Sequence, residues 1–112
     1  MIRLPLAVTV EPSPTTPGNL IISWSPDCSA AALDYAIYEG TLGDFSSHGM
    51  KDCSDDGTRF REEITPAAGN TYYLVVPMTL ADEGVYGLDS AGQPRPPAAA
   101  TCRAGHAIAA CP

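Results

Sequence analysis

The chain is 112 residues long, 11.7 kDa, which is the size of one domain. Hydrophobic residues make up 45% and charged ones 17%, enough apolar material for a core, while 11 Pro and 10 Gly exceed the roughly 12% joint share of an average protein. A single lysine, Lys51, and a net charge of -7 make nucleic acid and anionic lipid poor partners, and no apolar run is long enough to insert in a membrane.

Met1 to Val10 contains an apolar stretch, but Pro5 interrupts it and no small-residue cleavage site follows. It therefore does not read as a secretory signal, and we expect a signal removed earlier or a piece of a longer secreted protein. Beyond it, short runs alternate apolar and polar residues with period two between turn clusters, the signature of an all-β chain. Leu6 to Glu11 is the first predicted strand, and Pro12, Pro14, Pro17 and Gly18 end it. Asn19 to Ser25 is the clearest, with Leu20, Ile22 and Trp24 on one face. Leu33 to Glu39 sets Tyr35 and Ile37 against Ala36 and Tyr38.

Gly40 to Gly57, rich in Gly, Ser and Asp, reads as a long connection holding one short edge strand. Thr58 to Thr65 puts Phe60, Glu62 and Ile64 in phase. Thr71 to Leu80 is the most apolar run, as a central strand should be, and its Pro77 needs a bulge or a position whose N–H faces no partner. A last strand is predicted from Val85 to Ser90. Residues 98–112 form a tail of small residues behind Pro94, Pro96 and Pro97. The expected organisation is one β-sandwich of about seven antiparallel strands over 1–97 and a short disulfide-clamped tail over 98–112.

Four cysteines, Cys28, Cys53, Cys102 and Cys111, lack the close spacing of a zinc or redox motif; an even count in a short acidic domain points to disulfides and an oxidising compartment. Three connectivities exist. Cys28–Cys53 with Cys102–Cys111 is the preferred one, since each pair closes a local loop.

The segment from Asp52 to Glu63 places oxygens where an EF-hand loop has them, with Gly57 at the turn position. Arg59 stands where that loop has an apolar residue, no amphipathic helix flanks it, and a strand over 58–65 would draw Glu63 away from Asp52. A solvated acidic turn is the expectation, with calcium at Asp52, Asp55 and Asp56 as the alternative and no other cofactor. Asp82, Glu83 and Asp89 form a second acidic set, read as loop solvation, to which Glu39 could come close. His48 lies among Ser46, Ser47 and Gly49 and reads as a surface residue, as does His106 in the tail. Neither completes a hydrolytic triad, no carboxylate pair flanks a cleft, and no phosphate loop occurs; the chain does not read as an enzyme. With Tyr35 and Tyr72 turned inward, Tyr38, Tyr73 and Tyr86 would form an outward row suited to a glycan or protein surface.

Several of these motifs resemble fibronectin type III modules. Leu20-x-Ile22-x-Trp24 resembles the second strand of that family and Tyr35-x-Ile37 its third. Ile64-x-Pro66, Gly69 and Tyr72-x-Leu74-x-Val76 are similar to the stretch opening its sixth strand, where a Tyr hydroxyl bonds the preceding corner. Asp82 to Gly87 resembles the loop before the final strand. The resemblance spans residues 5 to 92 and is nearest to modules of secreted or surface proteins of bacteria. It implies an immunoglobulin-like sandwich; independently of it, Trp24, Tyr35, Ile37, Ile64, Tyr72, Leu74 and Val76 are the large side chains expected to fill the space between two sheets. The function it implies is extracellular and non-catalytic: a structural, adhesion or spacer module. The alternatives are a subunit of a self-assembling fibre or array, joined to its own copies by strand or tail exchange, and a carbohydrate- or calcium-binding module.

Overall fold

The computed structural model describes residues 8–25, 34–54, 60–84, 86, 91, 93 and 98–105. Six strands occur among them: β1 (Val8–Pro12), β2 (Leu20–Trp24), β3 (Asp34–Thr41), β4 (Asp44–Asp52), β5 (Arg61–Ile64) and β6 (Thr71–Met78). They form two three-stranded antiparallel sheets, ordered β1-β2-β5 and β4-β3-β6. No helix among the described residues is long and apolar enough to cross a membrane. The strand expected at 85–90 lies outside the described residues except for Tyr86, which is not in a strand.

The sheets meet through a cluster of Ile22, Trp24 and Ile64 from the first and Tyr35, Ile37 and Val75 from the second, with Leu20, Phe60 and Tyr73 packed against it. Period two puts these residues on one face of each strand, and burial of the large side chains holds the faces together at roughly 1.5–3 kcal/mol each. Trp24 lies tilted on Tyr35 with ring centroids 5.6 Å apart, and Phe60 meets Tyr35 edge-on at 5.7 Å. The predicted phase of Phe60, Glu62 and Ile64 holds: Glu62 and Ile64 are buried while Arg61 and Glu63 are exposed.

Strand β6 departs from expectation. Tyr72, Leu74 and Val76 do not enter the space between the sheets; Tyr73 and Val75 do, and Leu74 and Val76 join a second cluster on the opposite face of β4-β3-β6. Both faces of β6 are apolar, so alternation alone does not say which face meets the other sheet. The second cluster contains Ala36, Tyr38, Leu74, Val76, Met78, Tyr86 and Ala98, with Tyr72 and Cys102 against it. The chain therefore stacks in three layers: one sheet, the other sheet, and the segment 98–105 across the outer face.

Strand β4 is nine residues long rather than a short piece in a long connection. Its Gly and Ser residues have weak strand propensity, but pairing with β3 at Asp44, Gly49, Met50 and Asp52, with register shifts between them, overrides it. Leu42 and Gly43 make the tight turn between the two strands, and Gly43 takes φ +95°, which a side chain disfavours. Pro77 stands opposite Tyr35 without disturbing the β3–β6 register. The disulfide joins Cys53 to Cys102, 49 residues apart, with Cα atoms 5.4 Å from each other. The expected local pairings Cys28–Cys53 and Cys102–Cys111 are therefore overturned; Cys28 and Cys111 lie outside the described residues. Sequence proximity misled here because the tail crosses back over the outer face and brings Cys102 beside the end of β4.

Candidate functional site

The richest gathering of polar side chains lies under that tail. Glu83 follows the turn after β6, where Thr79 N–H donates to Asp82 O at 2.8 Å and Met78 forms an isolated bridge with Glu83. The turn swings Glu83 back over the outer face, where it is fully buried. Its carboxylate accepts hydrogen bonds from the Tyr38 hydroxyl and, at 2.5 Å, from the Tyr86 hydroxyl. The Tyr38 oxygen in turn accepts the Cys102 N–H at 2.8 Å. A buried carboxylate is costly unless donors surround it, and both tyrosines come from the apolar cluster itself. Burial and the neighbouring Glu83 push the Tyr38 hydroxyl up to about 12. Burial and the same carboxylate push Tyr86 further up. Both phenols thus keep their protons and donate to Glu83.

His48 extends the network. It is buried rather than at the surface, with Nδ1 2.9 Å from the Tyr72 hydroxyl and its ring 5.5 Å from that of Tyr86. The Tyr72 hydroxyl also donates to Asp44 O at 3.3 Å, so it ties β6 to the start of β4 instead of to the corner preceding its own strand. Tyr72 lies over Gly40, its partner in β3, where a Cβ would overlap the ring.

The tail residues 98–105 form a strap across this face. Besides the Cys102 bond and the disulfide, Arg103 Nε donates to Thr79 O at 2.9 Å. Glu83 N–H donates to Gly105 O at 2.8 Å, and Gly105 N–H to Ala81 O at 3.0 Å. Glu83 therefore holds the strap twice, through its backbone and through Tyr38. What this arrangement does chemically is to hold a segment in place.

The remaining predicted site residues disperse. Tyr38 and Tyr86 are buried, so they form no outward row with Tyr73, which is half-buried. Tyr73 donates to Glu39 at 2.7 Å. Glu39 lies away from Glu83, on the face toward the other sheet, paired with Lys51 at 3.3 Å and accepting the Ala67 N–H at 3.0 Å. Burial acts to raise the Glu39 carboxyl, but the bonds from Ala67 and Tyr73 and the charge of Lys51 outweigh it and hold it below its ordinary value. Asp52 accepts the Ser54 N–H at 3.1 Å, while Asp55, Asp56, Asp89 and His106 lie outside the described residues. Glu63, the twelfth position of the calcium-loop reading, is exposed and accepts from Asn19 Nδ2 at 2.9 Å. Among the described residues no three His, Cys, Asp or Glu side chains gather as metal ligands.

Sequence reasoning missed Glu83 and His48 as buried groups. The signal available was Tyr38 and Tyr86 in apolar company: two phenols on a face that turns out to be covered need an acceptor. Comparison with protein families, with curated proteins and with solved structures finds no match to this chain.

Proposed function

We propose that the chain is a fibronectin type III-like module that serves as a non-catalytic structural, adhesion or spacer element of a secreted or surface protein of bacteria. The observation that carries this reading is the strand arrangement. In an immunoglobulin-like sandwich the first, second and fifth strands share one sheet and the third and sixth the other, as they do here. The Cys53–Cys102 crosslink supports an oxidising compartment, and the phenols held protonated around Glu83 support a holding role over a catalytic one. Cell fractionation with alkylation of free thiols tests the reading. The chain is expected outside the cytoplasm with Cys53 and Cys102 protected; recovery from the cytosol with both alkylated overturns it.

One observation favours a second reading, a subunit of a self-assembling fibre or array. Among the described residues strand β1 is an edge strand, exposed along its whole length, and its Val8 and Val10, although on the same face as Trp24 and Ile22, are 38% and 47% exposed. Such an edge can accept a strand from another copy. Light scattering separates the two: a monodisperse 11.7 kDa species at high concentration counts against assembly. For a glycan-binding module the outward tyrosine row would be needed, and burial of Tyr38 and Tyr86 removes its support.

A further inference from the structure

The two hydrophobic clusters lie on opposite faces of the sheet β4-β3-β6 and differ in what closes them. Strands close the inter-sheet cluster. The outer cluster is closed by the strap and by the segment carrying Glu83 and Tyr86. The strap contributes little apolar surface of its own: Ala98 is buried and Cys102 half-buried, while Ala99, Ala100 and Ala104 are exposed. Among the described residues its hydrogen bonds across the face are four, from Cys102 N, Arg103 Nε, Glu83 N and Gly105 N. Ordering eight residues for so few contacts is unfavourable, so the covalent tie at Cys102 decides whether the strap stays down. Both cysteines of the bridge are half-buried rather than enclosed, and a disulfide is opened by attack of a thiolate on one of its sulfurs.

We infer that residues 98–105 are a redox-operated strap, locked over the outer face by Cys53–Cys102 and released when a dithiol reduces that bond. One thiolate of the reductant attacks a bridge sulfur to give a mixed disulfide and frees the other cysteine as a thiolate. The second thiol of the reductant then displaces the mixed disulfide. The chain gains two thiols, the reductant leaves as a disulfide, and two electrons pass between them. Release withdraws Ala98 and Cys102 from the outer cluster and removes the Cys102 donor from Tyr38, while the sheets remain packed through Trp24, Tyr35 and Ile37. The strap's state thus controls whether an apolar sheet face is presented to the surroundings. This holds whatever the module is attached to.

Hydrogen exchange of the full chain, read by mass spectrometry on peptides, tests this in the wild type and in the Cys53→Ser/Cys102→Ser double variant. In the double variant the 98–105 amides are expected to exchange at least about tenfold faster and to lose their protection, while Leu20–Trp24 stays protected. A dye that fluoresces on exposed apolar surface should brighten only with the variant. In the wild type, reduction followed by reoxidation should open and restore protection of the same peptide. Retained protection of 98–105 in the variant, or loss of protection at Leu20–Trp24 together with the strap, overturns the inference.

Discussion

Tyr38 carries three obligations at once: it fills the outer cluster, donates to Glu83 and accepts from Cys102. Replacing it with Phe keeps the ring but removes a donor to Glu83 and the acceptor of the Cys102 N–H, so Tyr38→Phe is expected to cost about 2–4 kcal/mol. Tyr86→Phe removes one donor from the same carboxylate and should cost about 1–3 kcal/mol, the smaller loss of the two. Urea unfolding ranks them, and equal losses would contradict the double role of Tyr38. Trp24 offers a second comparison. Its ring is buried in the inter-sheet cluster, but its Nε1 has no hydrogen-bond partner. Trp24→Ala should cost about 3–5 kcal/mol and Trp24→Phe under about 1.5 kcal/mol, because Phe keeps most of the packing and removes an unpaired donor. Trp24 was legible in the sequence as an inward residue ending an apolar alternation. Glu83 was not, because a carboxylate beside Asp82 and Gly84 looks like any solvated loop until its donor Tyr38 arrives from 45 residues away.

At the scale of elements, the pairing of β3 with β6 organises both faces of the second sheet. Gly40 belongs to that pairing, since the Tyr72 ring crosses over it. Gly40→Ala should cost about 1–3 kcal/mol by overpacking, and the cost should fall below about 1 kcal/mol in a Tyr72→Ala background. A double-mutant cycle with no coupling would contradict the close approach. The positions of β2, β3, β5 and β6 were readable to within a few residues, because alternation and turn residues mark where a strand begins and stops. For β4 the signal was partial: one short edge strand was expected within residues 40–57, but its Ser and Gly residues look like a connection, and pairing with the neighbouring β3 makes nine residues a strand. Alternation in β6 separated Tyr72 from Tyr73 correctly but assigned each to the wrong layer, since both faces of that strand end up covered.

The whole molecule should lose stability in alkali for a reason visible in its tyrosines. Tyr38 and Tyr73 ionise near 10 in the unfolded chain and are pushed up to about 12 in the folded one, chiefly by burial. Below pH 10 both states keep their protons and the contribution is fully present. Between pH 10 and 12 the unfolded chain ionises first, so stability falls as pH rises. Glu39 acts at the other end. Its lowered carboxyl stabilises the fold above the ordinary carboxylate range, and that contribution is lost as pH falls through the folded value. Urea midpoints measured across the scale should therefore drop on both sides; a midpoint flat from pH 9 to 11.5 would contradict the alkaline arm. The crosslink adds about 4 kcal/mol in a chain-entropy account of its 49-residue span.

The sequence by itself determined an acidic all-β chain, most of its strands, and the alternation that sorts side chains onto two faces, because period two is a local property of extended backbone. Its surplus of Pro and Gly also marked most of the corners. The tertiary structure alone decided what covers each face, which cysteines meet, and that Glu83 and His48 are interior. Those outcomes depend on groups far apart in the chain: a cysteine finds the sulfur the fold brings to it, and a carboxylate is buried where distant hydroxyls supply its hydrogen bonds.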